Sequence, residues 1–379
     1  MPASCNILSI VPYRVLPATT GGHLGIVLLH DAIGKLCPDN IAGTTDNGSD
    51  DKYAFTLHKI FSAGAGRYIP YRHFRRLKGL IKAYGANNIY CDHPYMMPTA
   101  ISLSKKMRIP LYMRSHNIES ERFKTLGKKW WRAMFWFEQY AMHNAAGVFF
   151  VTPEDADWAM QHYKLPASKC HVIPFGTTMA GIPVTHSSAK EELIKQLGMA
   201  AHTPLLYFLG VLDYYPNTQA VNFILDEIMP RLNAANKDYH ILIAGKALPQ
   251  EIQNRIDNTE KIQYLGFVPD LEIFLNGCNV MLNPVLLGGG IKTKAVEALG
   301  YNKMVVSAHS GAAGLIREVC GDNLLVAADN DWDDFTQKVI TAVQSVPKIP
   351  EAFYETYNWD KIAAKVVNIM EQNATQPSR

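Results

Sequence analysis

Lys292, Lys294 and Glu297 follow three consecutive glycines, Gly288 to Gly290, and this is the first chemistry the chain offers. A glycine loop lets a ligand approach the backbone closely. Beyond it Ile291, Ala295, Ala298 and Leu299 recur at helical spacing, so the loop opens onto a helix N-terminus. Free N–H groups and the helix dipole favour an anion there. Lysines in a first turn oppose that dipole, so Lys292 and Lys294 point to an anionic partner. Glu297, one turn further on, can accept two hydroxyls at once. Phosphate-binding backbone, cations and a hydroxyl-binding carboxylate together suggest a nucleotide, with Gly289, Gly290, Ile291 and Lys292 around its phosphates. The plainer alternative is a glycine turn before a solvated helix.

His116 is the next residue of interest. It lies just past Pro110 to Met113, a short apolar strand. Open α/β sheets place their ligands at the C-terminal ends of strands, which raises His116 above an ordinary structural histidine. Gly21 and Gly22 sit at the same kind of junction, after a strand at Asn6 to Val11 and before a helix to about Leu36. Gly22 is a candidate contact on that ground, and a plain turn accounts for the pair equally well. Asp155-Ala156-Asp157 has the form of a metal-binding DxD. Thr152 and Pro153 mark a helix start, however, so the expected role of these acids is in its first turn, with no metal.

The elements that position these groups alternate in type. First-half strands are expected at Asn6 to Val11, Asn88 to Cys91, Pro110 to Met113, Gly147 to Val151 and Cys170 to Ile173. Tyr68 to Lys82 reads as a basic amphipathic helix, suited either to an anionic membrane surface or to the outside of its own domain. Lys128 to Tyr140 is a Trp- and Phe-rich helix expected to pack mainly in the core, with an interfacial belt as the alternative. Residues 174–188 read as a hinge linker.

The second half restarts the pattern, with strands at Leu205 to Leu209, Tyr239 to Ala244, Ile262 to Leu265, Cys278 to Leu282, Met304 to Ser307 and Leu324 to Ala327. The first of these ends at Gly210, and Asp213 to Asn217 then leads a helix to Leu232. A terminal amphipathic helix spans Tyr357 to Met370. Two α/β halves imply two doubly wound, Rossmann-like domains facing across a cleft. No GxGxxG follows the first strand, which disfavours a NAD enzyme.

Hydrophobic residues make up 48% of the 379 and charged residues 19%, enough for a sizeable core and against disorder. The net charge of +3 does not by itself imply nucleic acid, and none is expected as a partner. Its distribution is uneven: residues 1–185 carry 21 Lys and Arg against 12 Asp and Glu, and the remainder carries 16 against 22. A basic first half suits an anionic surface or ligand. Six scattered cysteines without a CxxC point to reduced thiols in the cytoplasm. Neither a signal peptide nor a membrane-spanning run is expected.

The second half resembles the nucleotide-sugar-binding domain of glycosyltransferase family 4. The resemblance rests on Phe208-Leu209-Gly210, Asp213 to Asn217, Ile243-Ala244-Gly245, Tyr264 to Asp270, Asn283-Pro284 and Gly290 to Ala298, covering most of residues 203–345. More loosely, Gly21-Gly22, His116 to Glu119 and Val172 to Gly176 are similar to that family's acceptor domain.

The resemblance implies the GT-B fold. Its domains would be an acceptor-binding domain at 1–180, a donor-binding domain at 187–350 and a returning helix at 355–373. It implies a retaining transfer from a UDP- or GDP-linked sugar to a glycan, lipid-linked or small-molecule acceptor, with no obligatory metal or other cofactor. The expected setting is cytoplasmic, peripheral on the inner face of the plasma membrane, in the polysaccharide-assembly branch. By the same resemblance Glu297 binds the ribose hydroxyls, Lys294 faces the diphosphate, Phe267 and Val268 form the base loop, Gly210 and Asn217 belong to the loop after the first strand, and His116 lies near the sugar.

Two departures stand out. Gly289 occupies the first position of the family's Glu-x7-Glu, and the loop Asp213 to Asn217 lacks the usual Arg and Lys. Neutralising the diphosphate is left to Lys292, Lys294 or His116. A non-catalytic nucleotide-binding scaffold and a sugar-nucleotide epimerase are the alternative functions.

Overall fold

Leu205–Leu209 reads LLYFL and Met304–Ala308 reads MVVSA, apolar strings with no alternation. Strands need that composition when both faces of a parallel sheet are covered. The computed structural model describes residues 5–18, 20–183, 187–198, 202–288 and 290–374. It contains two units, Met1–Gly176 with Trp359–Arg379, and Thr177–Asn358.

Among the described residues the first unit holds a seven-stranded sheet: β1 (Ile7–Ile10), β2 (Asp39–Thr44), β3 (Thr56–Phe61), β4 (Asn88–Asp92), β5 (Leu111–Ser115), β6 (Gly147–Phe150) and β7 (Cys170–Val172). Their spatial order is β3-β2-β1-β4-β5-β6-β7. The second unit holds β8 (Leu205–Leu209), β9 (His240–Ala244), β10 (Ile262–Gly266), β11 (Val280–Asn283), β12 (Met304–Ala308) and β13 (Leu324–Ala327), ordered β10-β9-β8-β11-β12-β13. All of these pairings are parallel. Strand order reverses between β1 and β4 in one unit and between β8 and β11 in the other. Doubly wound sheets open a ligand crevice at such switch points, at the C-terminal strand ends.

Each sheet is packed on both faces. In the first unit Leu8, Ile10, Ile89, Leu111 and Val148 face one helical layer, while Ile7, Tyr90, Tyr112 and Phe149 face the other. The terminal helix Trp359–Ala374 belongs to that second layer, contributing Trp359, Ile362, Ala363 and Val366. In the second unit Leu206, Phe208, Ile241, Val280 and Leu282 line one core, and Leu205, Tyr207, Leu242 and Met281 the other.

Several elements differ from expectation. Strands β2 and β3 were not anticipated. β2 carries Asp39, Asn40 and Gly43, and β3 is a partly exposed edge strand, so neither presents an apolar run. The basic helix begins at Phe74, not Tyr68: residues 65–68 form a 3₁₀ turn and Tyr71 takes a φ of 64°. The helix Trp131–His143 does not bury most of its aromatics; Trp136 is 67% exposed, and Trp130 and Tyr140 are also exposed. The helix expected to end at Leu232 passes through a π-turn, Ile224–Ile228, just before Pro230, which has no N–H to continue a regular ladder. Among the described residues no helix is long and apolar enough to cross a membrane.

Candidate functional site

At the second unit's switch point, β8 ends at Gly210 and β11 ends at Asn283. Asn283 is fully buried, and its Nδ2 donates to Ser307 Oγ at 2.9 Å and to the Gly311 carbonyl at 3.0 Å, which ties the end of β11 to the loop after β12. The chain then runs through Gly288 (φ 90°) and Gly290 (φ 70°), conformations costly for any residue with a Cβ, into the helix Thr293–Gly300. Lys292 is the N-cap, and no side chain caps the helix. Lys292 Nζ turns back onto its own loop, donating to the carbonyls of Gly288 (2.6 Å) and Gly290 (3.1 Å).

Lys294 reaches the other side of the switch point. Its Nζ donates to Asn217 Oδ1 at 2.7 Å and lies 4.0 Å from the Phe208 ring centroid. Asn217 is oriented in turn by donating from Nδ2 to the Val211 carbonyl at 2.9 Å. Gly210 leaves room for this pair, because a Cβ on it would lie 2.8 Å from Asn217 Nδ2 and 3.2 Å from Lys294 Nζ. Neither lysine has a carboxylate partner among the described residues. Burial, with Lys292 alongside, pulls the Lys294 pKa down to about 7, and burial pulls Lys292 to about 8. Two partly desolvated ammonium groups at a helix N-terminus, with no carboxylate beside them among the described residues, can receive an anion.

Glu297 lies on the same helix. Its half-buried carboxylate makes no hydrogen bond or ion pair among the described residues, and burial raises its pKa. Past β10, Gly266 (φ 67°) turns the chain to Phe267, which is 63% exposed and stacked beneath Lys246 Nζ at 4.1 Å; Val268 is half-buried beside it. An exposed ring under a cation is a surface on which a planar base can stack. Ile291 is half-buried in the loop, and Gly289 lies outside the described residues.

Gly22 and His116 belong to the first unit. Gly22 is exposed in the opening turn of the helix Gly21–Gly34, whose N-cap is Thr20; a Cβ there would meet only Thr20 Oγ1, at 4.0 Å. His116 follows β5 directly. Its Nε2 lies 2.7 Å from Asp92 Oδ1 at the end of β4, and its ring stacks on His93 at 4.2 Å between centroids. His93 holds a positive φ of 62°, a strained conformation of the kind that collects at functional sites. Burial and the neighbouring His93 lower the His116 pKa to about 4. Asp92 and His93 were not singled out in the sequence. A carboxylate ending a strand beside a histidine was the available signal. Thr152 Oγ1 accepts the Asp155 backbone N–H at 3.1 Å, the capping geometry expected of that segment.

Residues 203–345 match the family described as glycosyl transferases group 1, and residues 41–179 match glycosyltransferase family 4. By family and by fold, the chain belongs to the GT-B glycosyltransferases. The first matched segment holds Gly210, Asn217, Phe267, Val268, Lys292, Lys294 and Glu297; the second holds His116 and leaves Gly22 outside.

A crystal structure of a glycosyltransferase from Rickettsia africae aligns with a TM-score of 0.74 at 14% identity, over 98% of this chain and 99% of that one. Anabaena HepE in complex with UDP aligns with a TM-score of 0.68 at 15% identity, over 97% of this chain and 95% of that one. An uncharacterized 44.6 kDa protein of the Klebsiella pneumoniae cps region is 24% identical over 165 residues, a stretch spanning 42% of this glycosyltransferase and 42% of that relative.

Proposed function

We propose that the protein transfers a sugar from a nucleoside diphosphate sugar to a glycan or lipid-linked acceptor, with retention of configuration. The observation that carries this reading is Lys294, a half-buried lysine at the β8/β11 switch point with Asn217 and no carboxylate partner among the described residues. In this reading Lys294, Lys292 and the helix N–H groups hold the diphosphate and stabilise it as it gains charge on leaving. Glu297 accepts from the ribose hydroxyls, and Phe267 with Val268 stacks the base. His116 serves the sugar end. UDP is the favoured nucleotide, supported by the UDP in the HepE complex. A role in polysaccharide assembly is supported by the cps-region relative.

We also propose peripheral attachment to an anionic membrane through the segment 124–140. Leu126, Trp130, Trp136 and Tyr140 are exposed there beside Lys124, Lys128, Lys129 and Arg132. Apolar bodies among cations fit a headgroup interface, a better case than the helix Phe74–Tyr84, which buries Leu77 and Ile81 in its own core.

A nucleotide-binding scaffold without turnover is the second reading. It is favoured by Gly289, which puts no carboxylate where many relatives carry one. Saturation-transfer NMR against UDP-, GDP-, TDP- and ADP-sugars identifies the donor, and acceptor-dependent nucleotide release then separates the readings. Release that tracks a glycan or lipid-linked acceptor is the expected result. Binding without release favours the scaffold, and donor isomerised without acceptor indicates an epimerase.

A further inference from the structure

Behind His116 lies a chain of buried polar groups that the proposed transfer does not itself use. Asp92 Oδ1 meets His116 Nε2 at 2.7 Å, and its Oδ2 meets His30 Nε2 at 3.3 Å. His30 Nδ1 meets Asp39 Oδ2 at 2.7 Å, and Ser9 Oγ donates to Asp39 Oδ1 at 2.6 Å. The side chains of His30, Asp39 and Asp92 are at most 1% exposed. They come from the helix Gly21–Gly34, from the N-terminal end of β2 and from the C-terminal end of β4, so His30 bridges the two edges of the sheet. Polar residues cost stability in such a core unless every one is partnered. A line of four spanning one face of a sheet and ending at a site histidine has the layout of a device that orients that histidine.

We propose that His30, backed by Asp39 and acting through Asp92, is a positioning residue that holds the His116 ring with its proton on Nε2 and its Nδ1 free to accept a hydrogen bond from a substrate hydroxyl. This rests on His116 serving the sugar end. Ionised Asp92 accepts from both histidines, so the shared proton sits on His116 Nε2 and Nδ1 keeps its lone pair. No hydrogen bond to Nδ1 exists among the described residues.

Burial and the neighbouring His93 keep the ring neutral against the pull of Asp92. Burial alone would strip the proton from His30, but Asp39 and Asp92 outweigh it and push the pKa up to about 9. Burial opposes charge on Asp92 too, yet the bonds from His116 and His30 hold its pKa below the ordinary carboxylate range. Asp92 thus shares the His30 cation with Asp39. The other groups facing His116 are the stacked His93, whose Nδ1 is 3.7 Å from Glu119, and Arg114 on β5, buried with Nε and Nη1 unpartnered; both repel a proton on His116. Tyr90 meets His30 edge-on at 5.2 Å, and Tyr13 donates to the Asp92 carbonyl at 3.1 Å.

The test is a histidine-selective ¹⁵N NMR titration of the whole protein from pH 4 to 9, which needs neither donor nor acceptor. The parent should show His116 as the Nε2–H tautomer at pH 7.5, titrating well below the ordinary range. His30→Gln frees the Asp92 charge to act on His116, so the His116 titration should move up by about 1 pH unit or more. Asp39→Asn, which weakens the hold on the His30 proton, should move it the same way by less. The acid limb of the rate profile should follow.

A parent His116 protonated on Nδ1 at pH 7.5 overturns the proposal. So does an unchanged His116 titration in a cooperatively melting His30→Gln. If His30→Gln does not fold, the parent tautomer and Asp39→Asn decide. An intact NMR signature in a protein that never turns over removes the transferase reading and leaves the relay standing. Normal turnover with unchanged titration does the reverse.

Discussion

Lys294 Nζ donates to Asn217 Oδ1 at 2.7 Å, and this bond joins the first turn of the helix Tyr215–Phe223, which follows β8, to the helix after β11 across the switch point of the second sheet. The two residues are 77 positions apart, so their meeting is a product of strand order. The bond leaves Nζ two further protons and no carboxylate among the described residues to receive them.

Diphosphate binding should therefore take up a proton. Lys294 has a pKa near 7 and Lys292 near 8 in the free protein, both lowered by burial. A bound diphosphate favours the charged forms and raises both. Affinity for UDP should fall as pH rises from 7 to 9, with a slope that steepens from below about one toward about two log units per pH unit as both lysines lose their protons in the free protein. Calorimetry in buffers of different ionisation enthalpy measures the uptake. An affinity independent of pH across that range, with no uptake, would refute this account of Lys294.

Glu297→Ala should weaken binding of the nucleoside itself. A hydrogen bond to a charged group contributes about 1.5–3 kcal/mol, so the loss should be about ten- to hundredfold. Lys294→Ala should spare the nucleoside and weaken the diphosphate, and it should lower turnover as well. Equal affinities for parent and Glu297→Ala would take the ribose away from this helix.

Gly210→Ala is a probe that removes no functional group. Its methyl would press on Asn217 and Lys294 at 2.8 and 3.2 Å, displacing the pair. The expected outcome is a cooperative melt with weakened UDP binding and a loss of the proton uptake. Parent-like binding would show that the pair's geometry is immaterial.

For the membrane face, Trp130→Ala with Trp136→Ala should cut partition onto anionic liposomes about tenfold or more, since each buried apolar side chain contributes about 1.5–3 kcal/mol. Charge reversal at Lys128, Lys129 and Arg132 should abolish the preference for anionic over neutral vesicles, at about 1 kcal/mol per charge. Charge reversal at Arg72, Arg75 and Arg76 should do little. Light scattering checks the rival occupant: a parent dimer dissociated by the Trp substitutions, with no vesicle binding, would assign this face to self-association.

The strands that carry each sheet's core, the glycine loop and the helix bearing Lys294 and Glu297 were legible in the residue order. Buried parallel strands must be apolar throughout, and a glycine loop entering a helix has a local signature. Asp39 in β2 has no such signature: a carboxylate inside a strand breaks the apolar pattern, and only His30 and Ser9, brought to it by the fold, make its burial affordable. The aromatics of Trp131–His143 were misassigned for the converse reason. Composition registers that Trp136 is apolar, while exposure depends on which face of the helix finds a partner. Local periodicity determines the elements. Which polar groups meet, Lys294 with Asn217 and Asp92 with both His30 and His116, depends on strand order and on packing between distant segments, and only the tertiary structure decides it.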